Sequence, residues 1–284
     1  MKQAIILDGQ QMAQELNNQL KAKISDLKTS IMPTLATIIV GDNEASHIYV
    51  ANKNKQANNV GIQTKAFYLT SDTSENELLK LITKLNQDES VHGILVQLPL
   101  PKSINEQTII EAIDANKDVD GFHPKNLGLL MLNKPNTVAC TPLACLHLIK
   151  QTNCQISGAN VVIIGRSNIV GKPLAALLAN LDATVTICHA KTKNLKTHTL
   201  SADILIVAIG NPRFIDESYV KERAVVIDVG INRLANKTIC GDVDFAKVID
   251  KASFLTPVPK GVGPLTIAML LQNTWNNYTK QLKL

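Results

Sequence analysis

Two alternating patterns of apolar and polar residues run along the first part of the chain. Apolar residues recur either at helical spacing or in short continuous runs, and these two patterns predict helices and buried strands respectively. In order, the predicted elements are a helix over 12–27, a strand over 35–40, a helix from about 46 to 59, a strand over 65–69, a helix opened by the capping box of Ser74 and Glu77, and a strand over 92–98. This alternation indicates a parallel sheet with crossover helices.

A second series of elements begins near residue 140. It comprises a helix with Thr141 as N-cap and Pro142 in the first position, strands over 161–165, 184–188, 203–210 and 225–230, a helix over 172–181, a short strand at Phe254-Leu255 and a closing helix from about Pro264 to Lys280. Turn residues between Asp118 and Asn136 separate the two series. We therefore predict the α/β class, with two α/β domains.

Length and composition narrow the class of protein. At about 150 residues per domain, 284 residues agree with two domains. The net charge is only +5 and Lys and Arg are scattered, so no nucleic-acid partner is expected. No apolar run approaches the roughly 18 residues of a membrane span, and the first apolar run stops at Asp8, which argues against a secretory signal. Five cysteines without a C-x-x-C pair favour a cytoplasmic location and no metal site.

A lysine occupies an unusual position in the predicted helix over 46–60. At about 100° per residue, Lys53 shares one stripe with Ser46, Tyr49, Val50 and other residues that a globular protein would bury. Burial disfavours the charged form of a lysine, which makes its amine a usable proton acceptor. The alternative is a lysine whose stem covers apolar surface while its head stays in water. The helical geometry leaves both interpretations open.

The segment VVIIGRSNIVGKP, residues 161–173, predicts a strand, a turn and a helix start. Such a turn suits a phosphate, because backbone N–H groups and the helix dipole face it. It matches neither the P-loop, since five residues separate Gly165 from Gly171, nor the dinucleotide G-x-G-x-x-G, since Ser167 replaces the second glycine. Its place after the first strand of the second series still fits a dinucleotide site, and a tight turn without a ligand remains the alternative.

The cofactor preference follows from the end of the next predicted strand. In NAD-binding folds this strand usually ends in an acidic residue that binds the ribose hydroxyl. Here TVTIC is followed by His189, Ala190 and Lys191, none of them acidic, and Arg166 is available for an additional phosphate. The sequence therefore favours NADP.

Several motifs in order resemble the bifunctional methylenetetrahydrofolate dehydrogenase/cyclohydrolase family over nearly the whole chain. They are Ser46-x-x-Tyr49-x-x-x-Lys53, VQLPLP at 96–101, KDVDGF at 117–122, Gly165-Arg166-Ser167-x-x-Val170-Gly171-x-Pro173, DVGIN at 228–232, GDVDF at 241–245 and TPVP at 256–259. The resemblance implies oxidation of 5,10-methylenetetrahydrofolate by NADP⁺ and then hydrolysis to 10-formyltetrahydrofolate. The active site is expected in a cleft between an N-terminal substrate domain and a C-terminal Rossmann-like NADP domain.

The resemblance also assigns roles to residues. Lys53 matches the key catalytic residue, Gln97 the glutamine bonded near it, Tyr49 the tyrosine that stacks on the substrate's aminobenzoyl ring, and Asp120 the acid that binds the pterin. The implied substrate-binding set is Ser46, Tyr49, Lys53, Val96, Gln97, Leu98, Asp120, Pro259 and Gly261. The implied cofactor-binding set is Gly165, Arg166, Ser167, Ile169, Val170, Pro173, His189, Ala190, Gly210, Gly230, Ile231 and Thr266. A homodimer is also implied.

The resemblance further suggests how the chain is divided. The substrate domain is expected over 1–120, joined by the C-terminal helix at about 266–284, with the NADP domain over 121–265. Two residues depart from the family pattern. Lys260 replaces a glycine and would be strained if that glycine has positive φ, and Ala190 replaces a serine next to the expected phosphate. We interpret Lys260 as a tolerated loop substitution; the alternative is a contact with the folate tail or the cofactor phosphates.

Two other functions remain as alternatives. One is an NADP-dependent dehydrogenase of another two-domain family, of the shikimate or amino-acid type, which would not need Tyr49, Gln97 and Asp120 together. The other is a dinucleotide-binding regulatory protein without catalysis.

Overall fold

The structure, a computed structural model, describes residues 3–284. Its strands are β1 (Ile5–Ile6), β2 (Thr34–Val40), β3 (Gln63–Leu69), β4 (Gly93–Val96), β5 (Asn160–Ile164), β6 (Thr184–Cys188), β7 (Ile204–Val207), β8 (Val225–Asp228), β9 (Asn232–Arg233), β10 (Ile239–Cys240) and β11 (Phe254–Leu255). Its helices are α1 (Gly9–Ser25), α2 (Glu44–Val60), α3 (Glu75–Gln87), α4 (Glu106–Ala112), α5 (Pro124–Met131), α6 (Cys140–Lys150), α7 (Gly171–Ala179), α8 (Leu195–Thr199), α9 (Phe245–Val248) and α10 (Val262–Leu282), with a 3₁₀ turn at Glu217–Tyr219.

One compact unit comprises Gln14–Leu129, Pro135–Cys140 and Ile267–Leu284. It contains a parallel sheet in the order β3-β2-β4. Every residue of β2 and β4 is buried, which explains their continuous apolar runs. Leu78, Ile82 and Leu85 of α3 pack on this sheet, and the capping box of Ser74 and Glu77 opens that helix as predicted.

The other unit comprises the chain up to Ala13, Leu130–Lys134 and Thr141–Thr266. Its six parallel strands lie in the order β1-β11-β8-β7-β5-β6. The chain runs from β5 outward to β6 and then crosses back to place β7 on the other side of β5. The loops after β5 and β7 therefore meet at a topological switch point, where open α/β sheets bind ligands beyond the carboxyl ends of their strands.

The α/β class and two-domain organisation are confirmed, and all predicted strands are present within a few residues of their expected bounds. One helix start was wrong: α6 begins at Cys140, so Pro142 lies third rather than first. The first four N–H groups of a helix lack intrahelical partners, so a proline without N–H is tolerated at this position too. Several short elements were not predicted, namely β1, β9, β10, α4, α5, α8 and α9. The predicted domain boundaries stay a prediction.

Three further observations concern the chain as a whole. All five cysteines are free; four are buried, and Cys154 is partly exposed. Lys260 has a φ of 85°, so the lysine does occupy the left-handed conformation that favours glycine. Within residues 3–284, no helix is both long enough and apolar enough to cross a bilayer.

Candidate active site

The helix α2 presents Lys53 to the interior. Asn43 caps its start by accepting a hydrogen bond from the backbone of Ser46, and Gly61 ends it with a φ of 95°. The residues it buries include Ser46, Val50 and Lys53, as the predicted stripe requires. Lys53 is only 5% exposed, so the alternative of a lysine with its head in water is not what the structure shows. Burying an ammonium costs several kcal/mol unless polar groups compensate.

Two neighbours stabilise the Lys53 ammonium. Its Nζ donates to Gln97 Oε1 at 3.1 Å and lies 4.5 Å from the centre of the Tyr49 ring, which is a cation–π distance. Gln97 directly follows β4, and its own Nε2 donates to the carbonyl of Leu98 at 2.6 Å. That second bond identifies Oε1 as the atom turned toward the lysine. An ammonium has three donors, so this arrangement leaves capacity for a substrate or a water.

Asp120 completes this group through electrostatics. Burial raises the pKa of Asp120 to about 6, the Lys53 charge opposes that rise, and Asp118 adds to it. Burial also raises the pKa of Tyr49 to about 12, and the Asp120 charge contributes to the same effect. Tyr49 is therefore a neutral phenol at physiological pH, and Asp120 is mostly ionised above pH 6.

The loop that carries Asp120 is held by a residue that the sequence analysis did not single out. The buried Asp118 carboxylate accepts from the backbone N–H groups of Gly121 and His123 and from the Asn126 side chain, at 2.9 to 3.0 Å. Before it, Lys117 donates to three backbone carbonyls at the end of α3. In the motif KDVDGF, Lys117 and Asp118 therefore anchor the loop, and Asp120 is the residue that the loop presents. The available signal was an aspartate, Asp118, three residues before Gly121, a glycine with positive φ.

In the other unit, the predicted cofactor residues follow the carboxyl ends of β5 and β6. Arg166, Ser167 and Ile169 are exposed in the loop between β5 and α7, whereas Pro173 is buried in the first turn of α7. Ser167 Oγ accepts from the N–H of Val170, which shapes this turn.

The two glycines of this loop fit a dinucleotide. Gly165 has a φ of 132°, and an added Cβ would overlap the backbone of Ala208 at the end of the neighbouring strand. At Gly171 a Cβ would overlap the carbonyl of Gly165. The turn can therefore exist only with glycine at both places, and this close approach of strand, loop and helix start is the device with which dinucleotide folds hold a pyrophosphate. The residues present thus fit an NADP group.

The end of β6 also fits the phosphate of NADP. Ala190 and Lys191 are exposed, and His189 is half-buried with its Nδ1 accepting from the N–H of Lys191 at 3.2 Å. Ile164 and Cys188 are paired in register, so the loop with Arg166 and the loop with Ala190 leave the sheet side by side. A cation is therefore available beside the position where NAD-specific folds place an acid.

The remaining predicted residues lie elsewhere in the same unit. Gly210, with a φ of 64° and open space around its Cα, follows β7, and Gly230 and the exposed Ile231 follow β8. Thr266, in α10, lies within hydrogen-bond reach of Thr141. Pro259 and Gly261, predicted to bind substrate, flank Lys260 and belong to this unit rather than to the unit that contains Lys53. They line a mainly apolar cavity of about 360 Å³ together with residues 228–231.

A buried lysine–carboxylate group in one α/β unit and a dinucleotide-binding edge in the other are typical of a two-domain NAD(P)-dependent enzyme. Two family models match the chain: the catalytic domain of tetrahydrofolate dehydrogenase/cyclohydrolase over residues 7–120, and the NAD(P)-binding domain of the same family over residues 139–282. The chain therefore belongs to the tetrahydrofolate dehydrogenase/cyclohydrolase family.

Individual relatives agree with this assignment. The chain is 52% identical to the bifunctional protein FolD of Agathobacter rectalis over 271 residues, which cover 95% of this chain and 97% of the relative. A crystal structure of FolD from Campylobacter jejuni superposes with a TM-score of 0.96 at 48% identity, covering 98% of this chain and 99% of that one. The Trypanosoma brucei enzyme, complexed with NADP cofactor and inhibitor, gives a TM-score of 0.95 at 34% identity over the full length of both chains.

Proposed function

We propose that this protein oxidises 5,10-methylenetetrahydrofolate with NADP⁺ and hydrolyses the resulting 5,10-methenyl cation to 10-formyltetrahydrofolate. The observation that carries the proposal is the buried Lys53 with Gln97 and Tyr49 against its side-chain nitrogen. Membership of the family supports this function over another dehydrogenase family and over a regulatory protein without catalysis.

The hydrolytic step is assigned to Lys53. A water that attacks the methenyl carbon must lose a proton, and the tetrahedral intermediate must then open to the formyl group. As a neutral amine, Lys53 accepts one proton from the attacking water and returns it to the ring nitrogen as the bond between that nitrogen and the former methenyl carbon breaks. The remaining hydroxyl proton of the intermediate is released to solvent as the formyl C=O bond forms. Gln97 holds the amine in place by its hydrogen bond, and the buried position excludes bulk water from the proton transfer.

The main substrate contacts are assigned to the unit that contains Lys53. Asp120, as a carboxylate, accepts hydrogen bonds from the amino and ring N–H groups of the pterin. Tyr49 offers an aromatic face to the aminobenzoyl ring. Ser46 in α2, Val96 at the end of β4 and Leu98 soon after it also belong to the proposed substrate set. Pro259 and Gly261, from the other unit, complete that set.

The oxidation requires alignment rather than a protein acid or base. NADP⁺ supplies the hydride acceptor when it is bound. The turn from Gly165 to Val170 would hold its pyrophosphate, and Arg166 would bind the additional phosphate. The proposed cofactor set also includes Pro173, His189, Ala190, Gly210, Gly230, Ile231 and Thr266.

The setting of the enzyme is also part of the proposal. Free cysteines and the small-molecule substrates are consistent with a cytoplasmic enzyme of one-carbon metabolism. We expect a homodimer, which sedimentation at equilibrium will test.

A coupled spectroscopic assay tests the function. Purified protein is mixed with methylenetetrahydrofolate and NADP⁺, and the absorbances of NADPH and methenyltetrahydrofolate are followed together. We expect NADPH to accumulate while the methenyl signal stays low, because hydrolysis consumes it. The absence of NADPH formation would refute the dehydrogenase activity. In a separate assay with added methenyltetrahydrofolate, an absorbance that does not fall would refute the cyclohydrolase activity.

A further inference from the structure

Two buried carboxylates outside the proposed catalytic group lie beneath the loops of the NADP-binding unit. Asp242 is fully buried, and its carboxylate accepts from three consecutive backbone N–H groups, those of Ile209, Gly210 and Asn211, at 2.7 to 3.0 Å. It also accepts from the side-chain amide of Asn232 at 2.8 Å. One side chain therefore determines the path of the loop after β7 and ties it to the start of β9.

The second carboxylate, Asp228, ends β8 and holds Asp242 in turn. It accepts from the backbone N–H groups of Gly230, Asp242 and Val243 at 2.9 to 3.0 Å. Its own N–H donates to Thr256 Oγ1 at 2.7 Å. The two acids thus form a chain of hydrogen bonds that runs from β8 through the 241–243 segment to the loop after β7.

Two glycines make room for these carboxylates. An added Cβ at Gly230 would overlap the Asp242 carboxylate, and one at Gly241 would overlap the Asp228 carboxylate. The motifs DVGIN and GDVDF therefore interlock, since each supplies the acid that faces the glycine of the other.

The desolvation free energy of two buried carboxylates indicates that they have a role beyond packing. A buried carboxylate is costly to desolvate, and backbone N–H groups compensate it only in part. Burial raises the pKa of Asp228 to about 7, with a further contribution from the Asp242 charge. An apolar pair would fill the same space without this desolvation cost. What carboxylates add is a set of fixed hydrogen bonds to backbone on the loops that carry Gly210, Gly230 and Ile231.

We propose that Asp242, supported by Asp228, is a positioning residue for the nicotinamide cofactor. This rests on the proposed function, in which the loops after β7 and β8 contact NADP. Asp242 touches neither cofactor nor substrate in this assignment; it holds the backbone of residues 209–211 and the Asn232 side chain in the conformation that binds the dinucleotide.

The test uses Asp242→Asn in the full-length enzyme, with Asp250→Asn, an exposed acid of the same unit, as the matched control. Asparagine has nearly the same shape but turns an N–H₂ group toward two donors. We expect the Kd of NADP⁺, measured by titration calorimetry, to rise about tenfold, which corresponds to a loss of roughly 1.4 kcal/mol of binding free energy. The KM for NADP⁺ should rise by the same factor. Hydrolysis of added methenyltetrahydrofolate needs no NADP⁺, so its kcat/KM should stay within about twofold.

The outcomes separate the inference from the function on which it rests. An unchanged Kd for NADP⁺ in folded Asp242→Asn, or equal losses of both activities, overturns the positioning role. If Asp242→Asn does not fold, Asn232→Ala removes one of its four donors from a partly exposed position and should raise the Kd about threefold; no rise overturns the inference. A wild-type protein that binds NADP⁺ but oxidises no methylenetetrahydrofolate refutes the function, while the calorimetric comparison still decides the role of Asp242.

Discussion

Lys53 donates a hydrogen bond to Gln97 across 44 positions of sequence, with 3.1 Å between Nζ and Oε1. The helix α2 contributes the lysine and the end of β4 contributes the glutamine, so the parallel sheet brings them together. The pair gives Lys53, the proposed proton acceptor for hydrolysis, one defined orientation. Only the proposed hydrolysis depends on this pair, because hydride transfer needs no proton acceptor from the protein.

Lys53→Met is therefore expected to divide the two activities. Methionine keeps the length and burial of the side chain but cannot accept a proton. Loss of a general base costs about 100-fold to 10,000-fold, so cyclohydrolase activity should fall at least about 100-fold while part of the dehydrogenase activity remains. The exposed neighbour Lys55→Met is the control and should retain both activities. Equal loss of both activities in a folded Lys53→Met protein would contradict the proposed division of roles.

Asp120 is expected to make folate binding depend on pH. Its pKa is raised to about 6 by burial, and only the ionised carboxylate accepts from all the pterin donors. The KM for methylenetetrahydrofolate should therefore rise as pH falls below about 6 and level off above about 7. In Asp120→Asn the KM should be about tenfold higher at neutral pH, as for one lost charge-assisted hydrogen bond, and nearly independent of pH between 5 and 7. A wild-type KM that is flat over this range would argue against Asp120 as the pterin acceptor.

Arg166 is expected to set the preference for NADP⁺ over NAD⁺. It is exposed where an additional phosphate would lie, so Arg166→Gln should raise the KM for NADP⁺ about tenfold and leave that for NAD⁺ nearly unchanged. Ala190→Ser, which adds a hydroxyl donor, should strengthen the preference. Equal wild-type efficiency with the two cofactors would refute the NADP assignment.

Lys260→Gly is expected to stabilise the protein. A lysine at φ 85° carries about 1 kcal/mol of backbone strain that glycine avoids, although glycine gives back part of this through its more flexible unfolded state. Chemical denaturation should show a small rise in the free energy of unfolding, with kcat/KM unchanged for both substrates. A marked rise in KM for a folate with a polyglutamate tail or for NADP⁺ would instead show that the Lys260 ammonium binds an anion.

His92 is expected to make stability depend on pH below neutrality. It is fully buried, its Nδ1 accepts from the N–H of Thr34, and burial lowers its pKa from 6.5 to about 4. The unfolded chain binds a proton at this histidine more readily than the folded protein does. The stabilising contribution of the neutral His92 is therefore fully present above pH 6.5 and is lost as pH falls toward 4. The loss in the free energy of unfolding amounts to about 3 kcal/mol.

The matched variant for this test is His92→Asn, whose Oδ1 can accept from the same N–H without titrating. The difference in free energy of unfolding between wild type and variant should shrink or reverse between pH 7 and pH 4. A difference that stays constant over this range would contradict the buried, neutral histidine.

Long elements were predictable because their signals are local. The apolar run of β2, the capping box at Ser74 and the buried stripe of α2 each depend on residues within two or three turns of chain. The short strand β1 was not predictable, because Ile5 and Ile6 become a strand only by pairing with β11, some 250 residues later. The helix start at Cys140 was misplaced because proline is tolerated anywhere in the first turn.

The sequence by itself determined the α/β class, the stripe that contains Lys53 and the family to which the motifs belong. Only the tertiary structure decided which residues hold the backbone of those motifs in place. Asp118 and Asp242 look like ordinary turn residues along the chain, and Asp228 falls within a predicted strand. Each is recognised as an anchor only when folding brings its N–H donors to it. The physical reason is that a carboxylate is stabilised by donors that folding places in space, and sequence spacing does not encode that placement.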